Sequence, residues 1–241
     1  MVAMHRLSIS YLSIARSTTL SIITLMSIPQ ELILRQMELG PMGNFLYFLG
    51  DARSKEIAVV DPAWDVDHLC VETKKNGYKI TGVLLTHGHP DHVNGLKEIL
   101  ARHDVPAYIS RHEASFLKPK HKNILEVEDR QKIKIGGIEF ESLLTPGHTP
   151  GCQCFLYKNV LISGDTLFID GCGRCDLPGS DPKKMYHSLY EVVMKLPDET
   201  IIYPGHNYGP TPSATLISQK KTNPYLTCAG IEEFLSERMG L

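Results

Sequence analysis

The densest chemistry in this chain lies in Thr86-His87-Gly88-His89-Pro90-Asp91-His92, where three imidazoles and a carboxylate follow an apolar run. Imidazole and carboxylate suit Zn²⁺, Mn²⁺ or Fe²⁺. Crowded together without a metal, the same groups would leave several polar atoms poorly satisfied. A solvated His-rich loop is the alternative, and the H-x-H-x-D-H spacing disfavours it.

Three further stretches repeat the arrangement of a strand end, a tight turn and a potential ligand. His148 stands between two Pro-Gly turns in Thr145-Pro146-Gly147-His148-Thr149-Pro150-Gly151. Asp165 follows Ser163-Gly164, and His206 follows Tyr203-Pro204-Gly205. Each alone reads as an ordinary turn. Together with the first stretch they form a candidate two-metal site of His87, His89, Asp91, His92, His148, Asp165 and His206. The other histidines, at 5, 68, 103, 112, 121 and 187, fall outside the pattern and read as surface or helix residues.

Alternating strands and helices must position these groups. Leu32–Leu39 and Phe45–Leu49 read as a hairpin around Gly40-Pro41-Met42-Gly43-Asn44, with Glu56–Val60 a third strand. Asp65–Lys75 carries a helical pattern closed by Asn76-Gly77, and Lys79–Thr86 is a buried strand running into His87. Asn94–His103 is expected as a helix capped by Asn94, followed by a strand at Ala107–Ser110 and a helix at Arg111–Leu117. Strands are expected at Gln131–Ile135, Ile138–Leu144, Gln153–Tyr157, Val160–Ser163 and Thr200–Tyr203. Between the last two, Asp181–Leu196 reads as one helix with Asp181 as cap and Pro182 at its first position. Ala214–Lys221 and Gly230–Met239 are further helices. Two similar halves of this kind suggest two packed sheets covered by outer helices, in one α/β domain over residues 31–241.

The ordered set THGHPDH, TPGHTPG, SGDTLF and YPGHNYG resembles the metallo-β-lactamase superfamily over about Leu32 to Tyr225. The resemblance implies an αββα sandwich with the metals at one edge of two mixed sheets. It also implies that His87, His89 and His148 hold one divalent ion, zinc first and iron or manganese next. Asp91, His92 and His206 would hold a second, with Asp165 bridging both and a hydroxide between the metals as nucleophile. Asp91 and Asp165 are then the catalytic carboxylates, Asp91 orienting the attacking water.

Within that superfamily, Gly164-Asp165-Thr166-Leu167-Phe168-Ile169-Asp170-Gly171-Cys172-Gly173-Arg174 is similar to a segment of the glyoxalase II hydrolases. There the residue matching Arg174 contacts glutathione, which makes Arg174 the candidate substrate-binding residue. A guanidinium pairs with a carboxylate in a bidentate geometry that lysine lacks. The continuation Arg174-Cys175-Asp176 is more similar to persulfide dioxygenases, which bind one iron through the equivalents of His87, His148 and Asp165. Only 35 residues follow His206, so the helical C-terminal region typical of glyoxalase II is largely absent. The expected function is hydrolysis of a small thioester or similar acyl substrate, a glutathione-linked one being the candidate that the resemblance implies. Persulfide dioxygenase is the alternative, and β-lactamase or lactonase a minor one. Cys172 and Cys175 form a C-x-x-C that reads as loop packing rather than a redox pair.

Composition sets the remaining bounds. The 42% hydrophobic and 22% charged residues are ordinary globular values, and a formal charge of −2 gives no basic field for nucleic acid. Six cysteines without framework spacing point to a reducing compartment. Met1–Gln30 contains Arg6 and Arg16 but no acid, and its apolar run Leu20–Ile28 is too short to span a bilayer. It reads either as an extension from an upstream start, with Met26 and Met37 both nearer the first strand, or as a transit-peptide-like leader. The expected location is cytoplasmic, or organellar if the segment is a leader.

Overall fold

A computed structural model describes residues 28–117, 121 and 123–240. The expectation for Met1–Gln30 therefore falls almost wholly outside the described residues. Strands alternate side chains between two faces, and β2 (Asn44–Asp51) is buried along its whole length. Its Leu46 and Phe48 enter one apolar cluster, while Phe45, Tyr47 and Leu49 enter another. A strand with two apolar faces must be covered on both sides, and that requirement sets the layering.

The first sheet runs in the order β1 (Leu32–Leu39), β2, β3 (Glu56–Val60), β4 (Lys79–Leu84), β5 (Ala107–Ser110), β6 (Ile124–Val127). Its outer face packs on α1 (Val66–Asn76), α3 (Leu96–His103) and α4 (Arg111–Leu117) through Leu69, Leu96, Ile99 and Ala114. The four-residue helix α2 (Pro90–Val93) carries part of the histidine loop. The second sheet comprises β7 (Lys132–Ile135), β8 (Ile138–Leu144), β9 (Gln153–Tyr157), β10 (Val160–Gly164), β13 (Ile201–Pro204) and β14 (Ala214–Thr215). β11 (Leu167–Phe168) and β12 (Gly171–Cys172) form a separate small hairpin.

Val160 and Ile162 of β10 face the first sheet, and Leu161 faces α5 (Pro182–His187) and α6 (Leu216–Thr222) on the outside. The last short helix, α7 (Ile231–Glu233), leads into Phe234 in the same outer cluster. The result is the αββα sandwich of two mixed sheets. Truncating a fully buried residue such as Phe48 to alanine would cost about 3–5 kcal/mol.

Several local expectations are corrected. Asn94 does not cap α3; Gly95 holds that position, and Asn94 closes α2 by donating its N–H to Pro90 O. The reason is a close approach, since a Cβ on Gly95 would lie 2.6 Å from Pro62 O. The helix expected over Asp181–Leu196 is α-helical only to His187, then widens into a π turn (Ser188–Val192) and tightens to 3₁₀ (Val193–Lys195). Its buried residues Met185, Leu189 and Val193 are spaced by four. That exceeds 3.6 residues per turn, and a widened turn keeps them on one stripe. Ala214 and Thr215 belong to a strand, and Thr215 caps α6. Only Ile231–Glu233 of the last expected helix is α, the rest being a π turn (Phe234–Arg238). β6 was not anticipated at all. Among the described residues, no helix is long and apolar enough to cross a membrane.

Candidate metal centre

β3, β4 and β5 are parallel, as are β10 and β13, so their C-terminal ends gather at one edge. β3 ends into Asp61, β4 into the histidine loop, β10 into Asp165 and β13 into His206. Ligand sites in α/β sheets form at such carboxyl ends. The two sheets are tied together there, as Phe45 N–H donates to Gly205 O at 2.8 Å and Gln153 N–H to Thr86 O at 2.9 Å.

All seven candidate side chains converge on this edge. His148 Nε2 lies 2.9 Å from His89 Nδ1, which lies 3.2 Å from His87 Nε2. His206 Nε2 lies 3.2 Å from His92 Nε2 and 3.5 Å from Asp91 Oδ2. Asp165 stands between the groups, with Oδ2 3.5 Å from His148 Nε2 and 3.4 Å from His206 Nε2. Donor atoms about 2.0–2.2 Å from a common ion lie roughly 3.0–3.5 Å from one another. The triads His87/His89/His148 and Asp91/His92/His206 thus have the spacing to hold a metal. Asp165 Oδ1 is buried with no hydrogen-bond partner. Its nearest charged neighbour is His92 Nε2 at 3.4 Å, and a metal ion at this position would supply the close contact that the oxygen lacks.

The backbone makes room for the cluster. Gly164 has φ +51°, and a Cβ there would lie 2.6 Å from the Thr86 side chain. A Cβ on Gly205 would collide with Asp165 Oδ1 itself. Only glycine allows β10 and β13 to end this close to the aspartate.

Four of the five imidazoles are oriented through Nδ1. His148 donates to Arg174 O at 2.7 Å, His206 to Met42 O at 3.1 Å, and His87 to Thr86 Oγ1 at 3.1 Å. His92 donates to Asp61 Oδ2 at 3.0 Å. Each bond turns Nε2 toward the centre and fixes the tautomer. Asp61, which the sequence reading passed over, also accepts the Thr86 N–H at 2.7 Å and the Thr86 hydroxyl at 2.6 Å. It groups spatially with His87 and His92, yet with both oxygens engaged it acts as a clamp. Its left-handed φ of 47° aims the carboxylate back under the loop.

Two more positioning residues were missed. Asn44 Nδ2 donates to Asp91 O at 3.0 Å and to Asp91 Oδ2 at 3.1 Å, while Asn44 Oδ1 accepts from Trp64 Nε1 at 2.8 Å. Glu113 accepts from Gly88 N at 3.2 Å and Gly151 N at 2.9 Å, tying the His87 and His148 loops together. The one sequence signal was for Asp61, which ends a strand as the other site residues do.

Electrostatics divides the imidazoles. Burial, then His92, pushes His87 well below the usual histidine range, and burial and His148 lower His89. Both lone pairs are therefore available at neutral pH. Burial works against charge on His92, but Asp165, Asp61 and Asp91 outweigh it and raise it to about 9. Burial would raise Asp165, yet His92, His206 and His87 hold it far below the usual carboxylate range. Carboxylates that favour a proton at this position favour any cation there.

A cavity of about 390 Å³ opens over the cluster, with His89, Asp91, His148, Asp165 and His206 in its wall. Tyr208 stacks on His206 at 4.6 Å between centroids, and Phe168 meets both rings edge-on. Arg174 reaches the same cavity, but Nε and Nη2 each donate to Asp176 at 2.6 Å in an exposed bidentate pair. Its carbonyl, rather than its guanidinium, touches the cluster. Cys172 and Cys175 are free thiols, each donating to Gly173 O at 3.6 Å.

The sequence profile of the metallo-beta-lactamase superfamily matches residues 39–206. The chain belongs to that superfamily. As a member it is an enzyme of a divalent-metal fold that acts on small molecules. It is 34% identical over 195 residues to the probable polyketide biosynthesis zinc-dependent hydrolase BaeB of Bacillus velezensis, covering 81% of this chain and 87% of that one. It is 33% identical over 210 residues to human mitochondrial persulfide dioxygenase ETHE1, covering 85% and 79%. To hydroxyacylglutathione hydrolase of Pseudomonas savastanoi it is 36% identical over 173 residues, covering 68% and 62%. These relatives place this superfamily member in the glyoxalase II-like and persulfide-dioxygenase-like branch.

Proposed function

We propose that this chain is a hydrolase of small thioesters or similar acyl compounds, holding two divalent ions at the convergent cluster. His87, His89 and His148 would hold one and Asp91, His92 and His206 the other, with the Asp165 carboxylate within reach of both triads. The observation that carries this reading is Asp165, set between two donor triads with a buried oxygen that makes no hydrogen bond. Zinc fits the donors, as do iron and manganese, and BaeB is named zinc-dependent. When bound, such ions lower the pKa of water toward neutrality and polarise a carbonyl oxygen.

The chain's own residues do the positioning. Asp91 lines the cavity and is held by Asn44, so its carboxylate can accept a hydrogen bond from the attacking water and aim a lone pair. A thiolate leaves without a proton donor because a thiol, with a pKa of about 8.5, is far more acidic than water at about 15.7. Arg174, at the cavity mouth, exchanges Asp176 for a carboxylate of an anionic thiol. An exposed ion pair is weak enough to permit that exchange.

The test combines metal analysis with turnover. Two ions per chain and hydrolysis of S-lactoylglutathione without oxygen uptake are expected. One iron per chain with oxygen consumption on glutathione persulfide would replace this reading with persulfide dioxygenase. The similarity to ETHE1 and the Gly173-Arg174-Cys175-Asp176 stretch make that the second reading.

A further inference from the structure

The cavity over the metal centre has two unlike sides. Met42 O accepts from His206 Nδ1 at 3.1 Å, and Arg174 O accepts from His148 Nδ1 at 2.7 Å. Nδ1 lies on the part of each ring turned away from the centre, so Met42 and Arg174 stand behind different imidazoles. Asp165 lies between those imidazoles, 3.4 Å from His206 Nε2 and 3.5 Å from His148 Nε2. Outside the candidate metal ligands, Arg174 is the one side chain among the described residues of the wall that carries a formal charge. The charged end is therefore the His148 side.

The His206 side is apolar. Phe168 meets His206 and Tyr208 edge-on, at 5.8 and 5.4 Å between centroids, and Tyr208 stacks on His206. Met42 is 47% exposed and Tyr208 59%, and both line the cavity. Exposed apolar side chains gathered in one concave wall mark a place for an apolar group. The fold holds Met42 there. It sits on the turn between β1 and β2, whose Gly40 and Gly43 take left-handed φ values of +84° and +66°. A Cβ on Gly40 would lie 2.3 Å from the Trp64 ring. On the other flank, Asn207 N–H donates to Gly43 O at 2.7 Å and Asn207 Nδ2 to Glu38 Oε2 at 2.8 Å. The turn is fixed, while the unbranched methionine side chain can still reshape around a guest.

Building on the hydrolase reading, we propose that the His206 side is the acyl subsite and selects an apolar acyl chain longer than lactoyl. A thioester carbonyl over the cluster sends its two substituents in opposite directions. An anionic thiol part goes toward Arg174, and the acyl chain lies against Met42, Phe168 and Tyr208. Each methylene fully buried there favours binding about fourfold.

The probes are S-hexylglutathione and S-methylglutathione, thioethers that cannot be hydrolysed, titrated by calorimetry into the zinc-loaded full chain. The hexyl compound should bind about tenfold more tightly or better, its chain being partly buried. Met42→Ser keeps the carbonyl that orients His206. It should remove most of that preference and leave the methyl compound and the metal content unchanged. Tyr208→Phe keeps the ring and should keep the preference, and Ile217→Ser, an exposed apolar position outside the wall, should change nothing. In turnover, kcat/KM should be higher for S-hexanoylglutathione than for S-lactoylglutathione. Equal or undetectable binding of the two thioethers would overturn the proposal, as would a hexyl preference that survives in Met42→Ser. That comparison on the unaltered protein needs no variant to fold. Turnover of S-lactoylglutathione alongside equal thioether binding would remove the subsite and leave the hydrolase reading. Oxygen uptake on glutathione persulfide without thioester turnover would instead sink the hydrolase reading, and the acyl assignment with it.

Discussion

Asp61 Oδ2 and His92 Nδ1 lie 3.0 Å apart, both nearly inaccessible to solvent, on elements 31 residues apart in the chain. The same carboxylate takes the Thr86 N–H and hydroxyl. One side chain therefore orients His92 and fixes the start of the histidine loop. In Asp61→Asn the amide would face one of these donors with its own NH₂. A loss of about 1–3 kcal/mol in stability is expected from the unmatched donor, with a fall of about 10–100-fold in metal affinity. Denaturant unfolding and metal competition titration measure the two.

Asp165 and Asp91 should separate by phenotype. Asp165→Ala should lower metal content at both triads and abolish turnover. Asp91→Asn is expected to lower kcat about 100-fold or more with a smaller change in KM, as loss of a proton-accepting group does. Steady-state kinetics at matched metal content distinguishes them. Normal turnover by Asp91→Asn would remove its assigned role.

Metal removal should destabilise the fold, since the cluster binds ions only when the strands are assembled. An ion at a hundred times its Kd contributes about 2.7 kcal/mol. For a domain of this size that is about 5–10 °C in Tm. Calorimetry before and after chelation, and after re-addition of zinc, checks the drop and its reversal.

Arg174 and Asp176 make opposite predictions. Arg174→Ala should raise KM for S-lactoylglutathione severalfold and leave a neutral thioester nearly unchanged. Asp176→Asn frees the guanidinium and should lower KM for the anionic substrate. Equal losses on both substrates in Arg174→Ala would mean that the loop has collapsed. The His148 bond to the Arg174 carbonyl makes that outcome detectable as metal loss.

Deleting residues 2–27 should leave Tm and turnover unchanged. Among the described residues, the first side chain tied to the sandwich is Glu31, which accepts from Tyr157 Oη at 2.8 Å and from Lys158. A deletion extended through Glu31 should lower Tm, and the comparison of the two truncations locates the domain boundary.

What the sequence determined by itself was the set of groups able to do chemistry. A ligand must be a particular residue type just past a strand, and His87, His148, Asp165 and His206 announce themselves by type and by the turns beside them. The apolar alternation of β2 and β10 likewise dictates burial on both faces, hence a layered sandwich. The tertiary structure alone decided how those groups are aimed. Asn44 reaches Asp91 across 47 residues and Glu113 reaches Gly151 across 38. Any oxygen or amide brought there by the fold could serve, so no residue type marks the place. β6 went unread for a related reason, as a four-residue strand with Leu125 and Glu126 exposed has little periodicity to show. Arg174 is the sharpest case. Its charge is legible in sequence, but whether it is free or paired depends on the backbone path that sets Asp176 against its fork.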